Sequence, residues 1–254
     1  MALTITFDFV SPVIAIIGIL AGVALPSMKG LTKSNVMVNA TRQLTDDLAY
    51  ARQLALKERT TVHVIFVPPD VDLLMPNAAS ERDQRVWTNL LASAYSGYAI
   101  FAERTVGDQP GQAHHRYLTA WKTLPEGVII DPGEFDDRSG TDWDNSLASG
   151  TNSPFKFGNL YFPTGDGFTQ RVAHVTFDPN GSLVVVDGSG KPKAGQDEVI
   201  RLVRGSIFYR RDEVDHSLLE FDARVPAGEY DTTNQIRIAG LTGRAKVERL
   251  PDIK

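Results

Sequence analysis

The apolar and charged side chains divide the chain into an uncharged start and a mixed remainder. No ionisable side chain occurs between Asp8 and Lys29. The uncharged window, residues 9–28, is about 20 residues long, which in a helix rising about 1.5 Å per residue just spans the hydrocarbon core of a bilayer. Pro26 removes a backbone donor and is expected to loosen or kink such a helix. The pattern predicts a transmembrane half-helix over residues 9–28.

Three interpretations of this window compete: a retained membrane anchor, a cleaved secretory signal and a buried core helix. A secretory signal starts with basic residues and ends at a small-residue cleavage site. The first eight residues, MALTITFD, contain an aspartate and no Lys or Arg, so we favour the anchor. By the positive-inside rule, Lys29 and Lys33 favour a cytoplasmic location for the residues that follow the window. The resemblance to a known group of proteins implies the opposite orientation.

A second periodicity follows the window without a linker sequence. Apolar residues recur every three or four positions on one helical face, at Met37, Ala40, Leu44, Leu48, Ala51 and Ala55. Charged residues take the other faces, as in an amphipathic helix. The spacing predicts an amphipathic half over residues 29–58, which continues the apolar half as one rod from about Val13 to about Leu56.

From residue 59 the pattern changes to short β-branched runs separated by turn signals. The predicted strands are TTVHVIFV, SGYAIFAER, EGVIID, RVAHVTFD, GSLVVVDG, EVIRLVRGSIFYR and NQIRIAG. The stretches DPG, DPNG, DGSG and LTG supply the Gly and Asn residues that turns require, and VWTNLLASAY predicts a short helix. Residues 59–254 are therefore expected to form a β-rich domain with loop insertions. The fold class that follows is α+β, a long N-terminal helix packed on an antiparallel sheet.

Composition narrows the classes of function. The chain has 254 residues, a formal net charge of -5 and no cysteine. The absence of cysteine excludes disulfides and thiolate metal sites. A negative net charge excludes a global field that would draw the whole chain to nucleic acid or anionic lipid.

Motifs for catalysis or metal binding are absent from the sequence, and we predict no catalytic residue, no cofactor and no metal site. There is no H-E-x-x-H, no P-loop and no G-x-S-x-G. His63 and His174 lie in strand patterns and are expected to be ordinary sheet residues. The acidic residues that begin at Glu134 do not follow the spacing of a calcium-binding loop. They are predicted to lie in a solvated loop, and they are Glu134, Asp136, Asp137, Asp142 and Asp144.

Basic residues gather near the C-terminus. Contacts to phosphate need only a local positive patch, so Arg244, Lys246 and Arg249 are candidate nucleic-acid contacts. Glu248 and Asp252 interrupt the patch, and DNA is therefore the less favoured partner.

Several stretches resemble one known group of proteins. IAIIGILAGVALPSM, which includes Pro26, resembles the core of the N-terminal segment of type IV prepilins. ATRQLTDDLAYARQLALKERTTVHVIF is similar to the minor pseudopilins of the H type in type II secretion and to the related minor pilins of DNA uptake. WKTLPEGVII, VTFDPNGSLVVVDG and IRIAGLTGRAKVERL resemble the β-domain of the same group. The resemblance covers residues 9–67 and then scattered blocks, so 68–112 and 131–155 are interpreted as insertions.

The N-terminal processing motif departs from that group. In the group a glycine precedes a run that begins with phenylalanine and contains a glutamate. Here the glutamate column falls on Phe9, the residues before it read ITFD without a glycine, and Asp8 is the nearest carboxylate. The resemblance therefore does not imply that the N-terminus is processed in the usual way.

The resemblance implies a non-catalytic subunit of a type IV pilus or a type II secretion pseudopilus. It would lie in the bacterial inner membrane with a periplasmic C-terminal domain, or in an extracellular filament, as a homo- or hetero-oligomer. Its partners would be the inner membrane and other pilin or pseudopilin subunits, bound through the N-terminal helix. The expected anchor and helix-packing residues are Ile14, Ile17, Gly18, Ala21, Gly22, Leu25 and Pro26. The alternatives are a minor pilin that binds DNA during uptake, and a membrane-anchored β-domain that forms no filament.

Overall fold

The structure is a computed structural model that describes most of the chain from residue 35 onward. The described residues are 14, 35–69, 71, 81–104, 107–108, 113–135, 155–165, 168–186, 192–193, 195–211, 218–227 and 234–249. The helical elements are α1 over 35–58, α2 over Glu81–Leu91 and a 3-10 turn over Pro132–Phe135. The strands, numbered β1 to β14 in chain order, are Val62–Phe66, Gly97–Ala102, Arg116–Tyr117, Lys122–Thr123, Val128–Ile130, Lys156–Phe162, Phe168–Phe177, Val185–Val186, Pro192–Lys193, Glu198–Arg204, Ser206–Arg211, Leu218–Arg224, Asn234–Ile238 and Ala245–Arg249.

Helix α1 buries the face that its spacing predicts. The six apolar residues of that face are at most 6% exposed, and they are Met37, Ala40, Leu44, Leu48, Ala51 and Ala55. The helix stops where Arg59 takes a left-handed conformation, with φ of 50°, a common way for a helix to end. Helix formation here follows from burial of one stripe against the sheet.

The larger sheet packs one of its faces on α1. Its strand order is β3-β2-β1-β7-β6, with β4 also paired to β2. Val64 lies opposite Ile100 on one side and Val175 on the other, and all three are at most 1% exposed. Cross-strand neighbours of this kind form a continuous apolar surface for the helix.

The opposite face of the same sheet is also covered. Trp87 of α2 meets Phe162 of β6 edge-on at 4.9 Å, and Trp121 meets the same ring at 5.3 Å. Every residue of β1 is buried as a result, instead of alternating between core and solvent. Both α2 and the interior strand β2 come from residues 68–112, which the resemblance treats as an insertion.

A second antiparallel sheet completes the core that α1 covers. Its order is β14-β13-β10-β5, and Ile200, Leu202 and Ile236 contribute to the same apolar cluster as the buried face of α1. Strands β11 and β12 form a separate two-stranded sheet, and β8 pairs with β9. The α+β class is therefore confirmed as a helix on antiparallel sheets.

The apolar half of the predicted rod lies outside the described residues, apart from Ile14. That residue is helical and its side chain is 63% exposed. Among the helices that the structure describes, none is both long and apolar enough to cross a bilayer. Residues 9–28 thus stay a predicted anchor.

Candidate functional site

Three of the sequence blocks on which the resemblance rests meet at the end of α1. Arg52 of α1 donates from Nε to the carbonyl oxygen of Gly181, at 3.0 Å, and to that of Thr242, at 2.6 Å. Gly181 belongs to the DPNG turn after β7, and Thr242 to the LTG turn between β13 and β14. We call this arrangement the Arg52 junction. It fixes the helix to a turn of each sheet.

The two turns of the junction approach each other so closely that one position excludes a side chain. Gly243 has φ of 59°, and a Cβ atom there would clash with the carbonyl oxygen of Gly181. The first turn is also rigid, because Asp178 Oδ1 accepts 2.8 Å bonds from the amides of Asn180 and Ser182. A tight contact between turns preserves the relative position of the two sheets.

The fixed turns present an apolar side chain to solvent. Leu241 is 74% exposed at the tip of the LTG turn, while Ser182 Oγ donates to its carbonyl oxygen at 3.0 Å. Leu56 of α1, beside Gly181, is 40% exposed. The junction therefore ends in a small apolar surface on a rigid support.

A polar network fixes the middle of α1. Tyr98 donates its hydroxyl proton to Asp47 Oδ2 at 2.7 Å and accepts a bond from Gln43 at 2.9 Å. Lys122 Nζ donates to Asp47 Oδ1, also at 2.7 Å. Burial, and then the bond to Asp47, raises the pKa of Tyr98 well above its usual range, so the hydroxyl remains a donor. Because the partners lie on α1, β2 and β4, the network sets the rotation of the helix on the sheet.

The predicted anchor residues are not brought together by the described structure. Ile14 is the one that it describes, and Ile17, Gly18, Ala21, Gly22, Leu25 and Pro26 lie outside the described residues. Their packing stays a prediction.

The C-terminal basic residues lie on or beside β14. Arg244 and Lys246 are exposed, and the side chain of Arg249 lies outside the described part of the chain. Lys246 is opposite Arg237 in the strand register, but Arg237 bonds Glu248 at 2.9 Å, an interaction that raises its pKa. The surface therefore carries charges of both signs, and pairing with Glu248 makes Arg237 less available for contact with a phosphate group.

A carboxylate, an imidazole and a hydroxyl align on the second face of the larger sheet. Glu103 Oε1 lies 3.2 Å from His63 Nε2, and His63 Nδ1 lies 2.8 Å from Thr176 Oγ1. Sequence motifs did not reveal this set, because its members come from three separate strand regions. The hydroxyl of such a set attacks a substrate only where a substrate reaches it, and Thr176 is 6% exposed. We therefore interpret His63 as a sheet histidine, as its strand pattern predicts.

The solvated-loop prediction is wrong for Glu134. Its side chain is 1% exposed and accepts a 3.0 Å bond from Arg201 Nε, because the 3-10 turn folds it against β10. The other acidic residues of that stretch, Asp136, Asp137, Asp142 and Asp144, lie outside the described residues. Within the described part of the chain, no group of three or more potential ligands is placed to hold a metal ion.

Comparison with known proteins yields one structural similarity. No protein-family model and no curated protein matches the chain. Among solved structures, the type IV minor pilin FimU of Pseudomonas aeruginosa is similar at 12% identity and a TM-score of 0.36, over 88% of this chain and 95% of that one. A similarity of this size assigns the chain to no family.

Proposed function

We propose that the chain is a non-catalytic, membrane-anchored, pilin-like subunit that assembles into a type IV pilus or a type II secretion pseudopilus. The observation that carries the proposal is the attachment of α1 at three levels. Asn234 donates to Thr41 at 3.4 Å near the start of the described helix. The Asp47 network holds its middle, and Arg52 holds its end.

A helix attached in this way suits assembly better than simple anchoring. An isolated anchored domain needs only a flexible tether between membrane and domain. A filament subunit must keep its domain at a fixed angle to the helix that packs in the filament core. We infer that α1 extends toward the N-terminus into the uncharged window 9–28, which makes anchor and domain one rigid unit.

The proposed assembly contacts lie in that window. Gly18, Ala21 and Gly22 would allow close approach of neighbouring helices, since small residues let backbones come together in a bilayer. Ile14, Ile17 and Leu25 would face lipid or partner helices, and Pro26 would end the apolar half. The proposed location is the bacterial inner membrane with a periplasmic domain, or a filament outside the cell.

Single cysteines test the proposal, because the natural chain has none. In membranes that contain the full chain, we expect Gly18→Cys or Ala21→Cys to form disulfide-linked dimers or partner adducts on mild oxidation. Glu126→Cys, at an exposed position of the domain, is the matched control and should remain monomeric. A full chain that stays monomeric in buffer without detergent, and forms no adduct through the window, would contradict both anchor and assembly.

DNA binding during uptake is the second candidate function. Its support is the exposure of Arg244, which directly precedes β14, and of Lys246 on β14. The pairing of Arg237 with Glu248 weighs against it. A titration of labelled duplex DNA with the full chain distinguishes the two functions.

A further inference from the structure

Two buried glutamates lie on neighbouring parts of the fold: Glu134 in the 3-10 turn that follows β5, and Glu198 at the first residue of β10. Glu134 and Glu198 are 1% and 3% exposed. Glu198 lies opposite Ile238 in the strand register, on the side of β10 that contributes Ile200 to the apolar core. An ionised carboxylate in such a place is unfavourable unless it is paired and hydrogen-bonded.

Hydrogen bonding to these two side chains is incomplete. Glu134 Oε1 accepts from Arg201, but its Oε2 has no partner among the described residues. Glu198 Oε1 likewise receives no hydrogen bond from the described part of the chain. Buried polar oxygens normally accept at least one hydrogen bond, so two buried carboxylate oxygens without a donor are unusual.

The nearby cations do not balance the nearby acids. Arg201 divides its guanidinium between Glu134 Oε1, at 3.0 Å, and Asp131 Oδ2, at 3.1 Å. The positive charge of Lys156, on β6, favours the ionised form of Glu198. Among the residues that the structure describes, the charged groups at this place are thus three carboxylates and two cations. If all three acids were ionised, the buried cluster would carry an uncompensated negative charge.

We propose that Glu134 and Glu198 form a proton-binding site that keeps the junction of β5, the 3-10 turn and β10 closed. A proton on one of the two glutamates removes the excess charge and turns an acceptor into a donor. The ligand is a proton and not a metal ion, since the described residues place no metal-binding group here.

The electrostatics of the two side chains agree with this geometry. Burial raises the pKa of Glu134 to about 7, although Arg201 opposes the shift. Burial raises the pKa of Glu198 to about 8, and the Glu134 carboxylate adds to that shift. Both folded-state values exceed the usual carboxyl pKa. The site's contribution to stability is therefore fully present below the ordinary carboxyl pKa and is lost as pH rises through 7 to 8.

Infrared difference spectroscopy of the detergent-solubilised full chain measures the proton directly. Protonated carboxylic acids have a carbonyl stretch that ionised ones lack. We expect part of this band to persist at pH 6.5 and to disappear with a midpoint between about 7 and 8. Glu198→Gln and Glu134→Gln should each remove part of it, and Glu126→Gln, at an exposed site, should leave it unchanged. A wild-type chain without the band at pH 6.5 would overturn the proposal.

Hydrogen exchange at the junction gives the second measurement. The amide of Asp131 donates to Arg201 O, and that of Glu134 donates to Asp131 O. We expect their protection factors to fall about tenfold or more between pH 6.5 and pH 9 in the wild type, and to change little in Glu198→Gln, which mimics the protonated acid. An equal fall of the protection factors in the wild type and in Glu198→Gln would refute the proposal that the proton keeps β5, the 3-10 turn and β10 together. A shift of the infrared midpoint by added Ca²⁺ that EDTA reverses would show a cation site instead, and it would equally overturn the proposal.

Discussion

Arg52 Nε lies 3.0 Å from the carbonyl oxygen of Gly181, which joins the C-terminal part of α1 to the turn that leaves the larger sheet. The same nitrogen reaches Thr242 O in the smaller sheet. One side chain thus connects the helix with both sheets. A charged donor shared between two backbone acceptors contributes more than a neutral hydrogen bond.

Removal of this donor is expected to destabilise the domain. We predict that Arg52→Ala lowers the free energy of unfolding by about 1–3 kcal/mol, because two carbonyl oxygens lose their partner. Urea unfolding of the detergent-solubilised chain, followed by tryptophan fluorescence, to which the buried Trp87 contributes, measures the change. Arg42→Ala, at an exposed position of the same helix, should stay within about 0.5 kcal/mol. Equal effects of the two substitutions would show that the Arg52 junction contributes nothing to the stability of the domain.

The close contact of the two turns leads to a steric prediction. Gly243→Ala places a methyl group against Gly181 O, so we expect a loss of more than about 2 kcal/mol on top of any backbone cost. Gly107→Ala is the matched control, because Gly107 also has positive φ but its Cβ would meet nothing within 4 Å. The same unfolding experiment compares them. A cost at Gly243 no larger than that at Gly107 would mean that the turns move apart easily.

The buried face of α1 could be predicted from sequence because helix packing depends on local spacing. Residues from Met37 to Ala55 repeat at the helical period, and burial of that stripe follows from it. Strand β6 was not predicted. Its sequence KFGNLYF lacks a clear alternation, and it forms because seven of its residues pair with β7. That pairing is a long-range contact with no local signal.

The candidate site was less accessible to prediction than the fold. Arg52 binds backbone carbonyl groups, and every residue type carries one, so its partners cannot be recognised from residue identity. Glu198 begins a strand in which a polar residue would ordinarily face solvent. The pairing of β10 with β13, which sets Glu198 opposite Ile238, places that position in the interior.

The Asp47 network permits a test of coupling between the helix and β2. We predict that Tyr98→Phe costs about 1–2 kcal/mol, since Asp47 and Gln43 both lose a partner. A double-mutant cycle with Asp47→Ala should give a coupling energy of about 1 kcal/mol or more. Tyr50→Phe, on the exposed side of α1, is the control and should be near neutral. Additive effects of Tyr98→Phe and Asp47→Ala would count against a direct interaction.

His174 leads to a prediction about acid stability. Burial, and then the neighbouring His63, lowers its pKa to about 4. A histidine with a lowered folded-state pKa contributes stability that is present above its ordinary pKa and is lost as pH falls through 4. The expected slope for this single proton is about 1.4 kcal/mol per pH unit between those limits.

The slope is measured by urea unfolding at several pH values from 7 to 4. His174→Gln cannot take up this proton, so the difference between wild type and variant should shrink as pH falls. A constant difference between wild type and His174→Gln would contradict the burial effect.

DNA binding separates the two proposed functions. Arg244 and Lys246 are exposed, and Arg249 is the third candidate contact. A patch that neutralises about three phosphates would give a log-log salt slope of only about -3. With a formal net charge of -5 on the chain, we predict weak or undetectable binding of duplex DNA at physiological salt.

Fluorescence anisotropy of a labelled duplex, titrated with the full chain in detergent at two salt concentrations, tests the DNA prediction. Arg244→Ala/Lys246→Ala/Arg249→Ala removes the patch, and Arg42→Ala/Lys57→Ala removes positive charge from exposed positions of α1. Tight, salt-sensitive binding that disappears in the first variant and persists in the second would make DNA uptake the leading function. Equal weakening in both variants would indicate a nonspecific charge effect. No binding by any of the three proteins would favour the structural subunit, because a filament subunit needs contacts to its neighbours and none to nucleic acid.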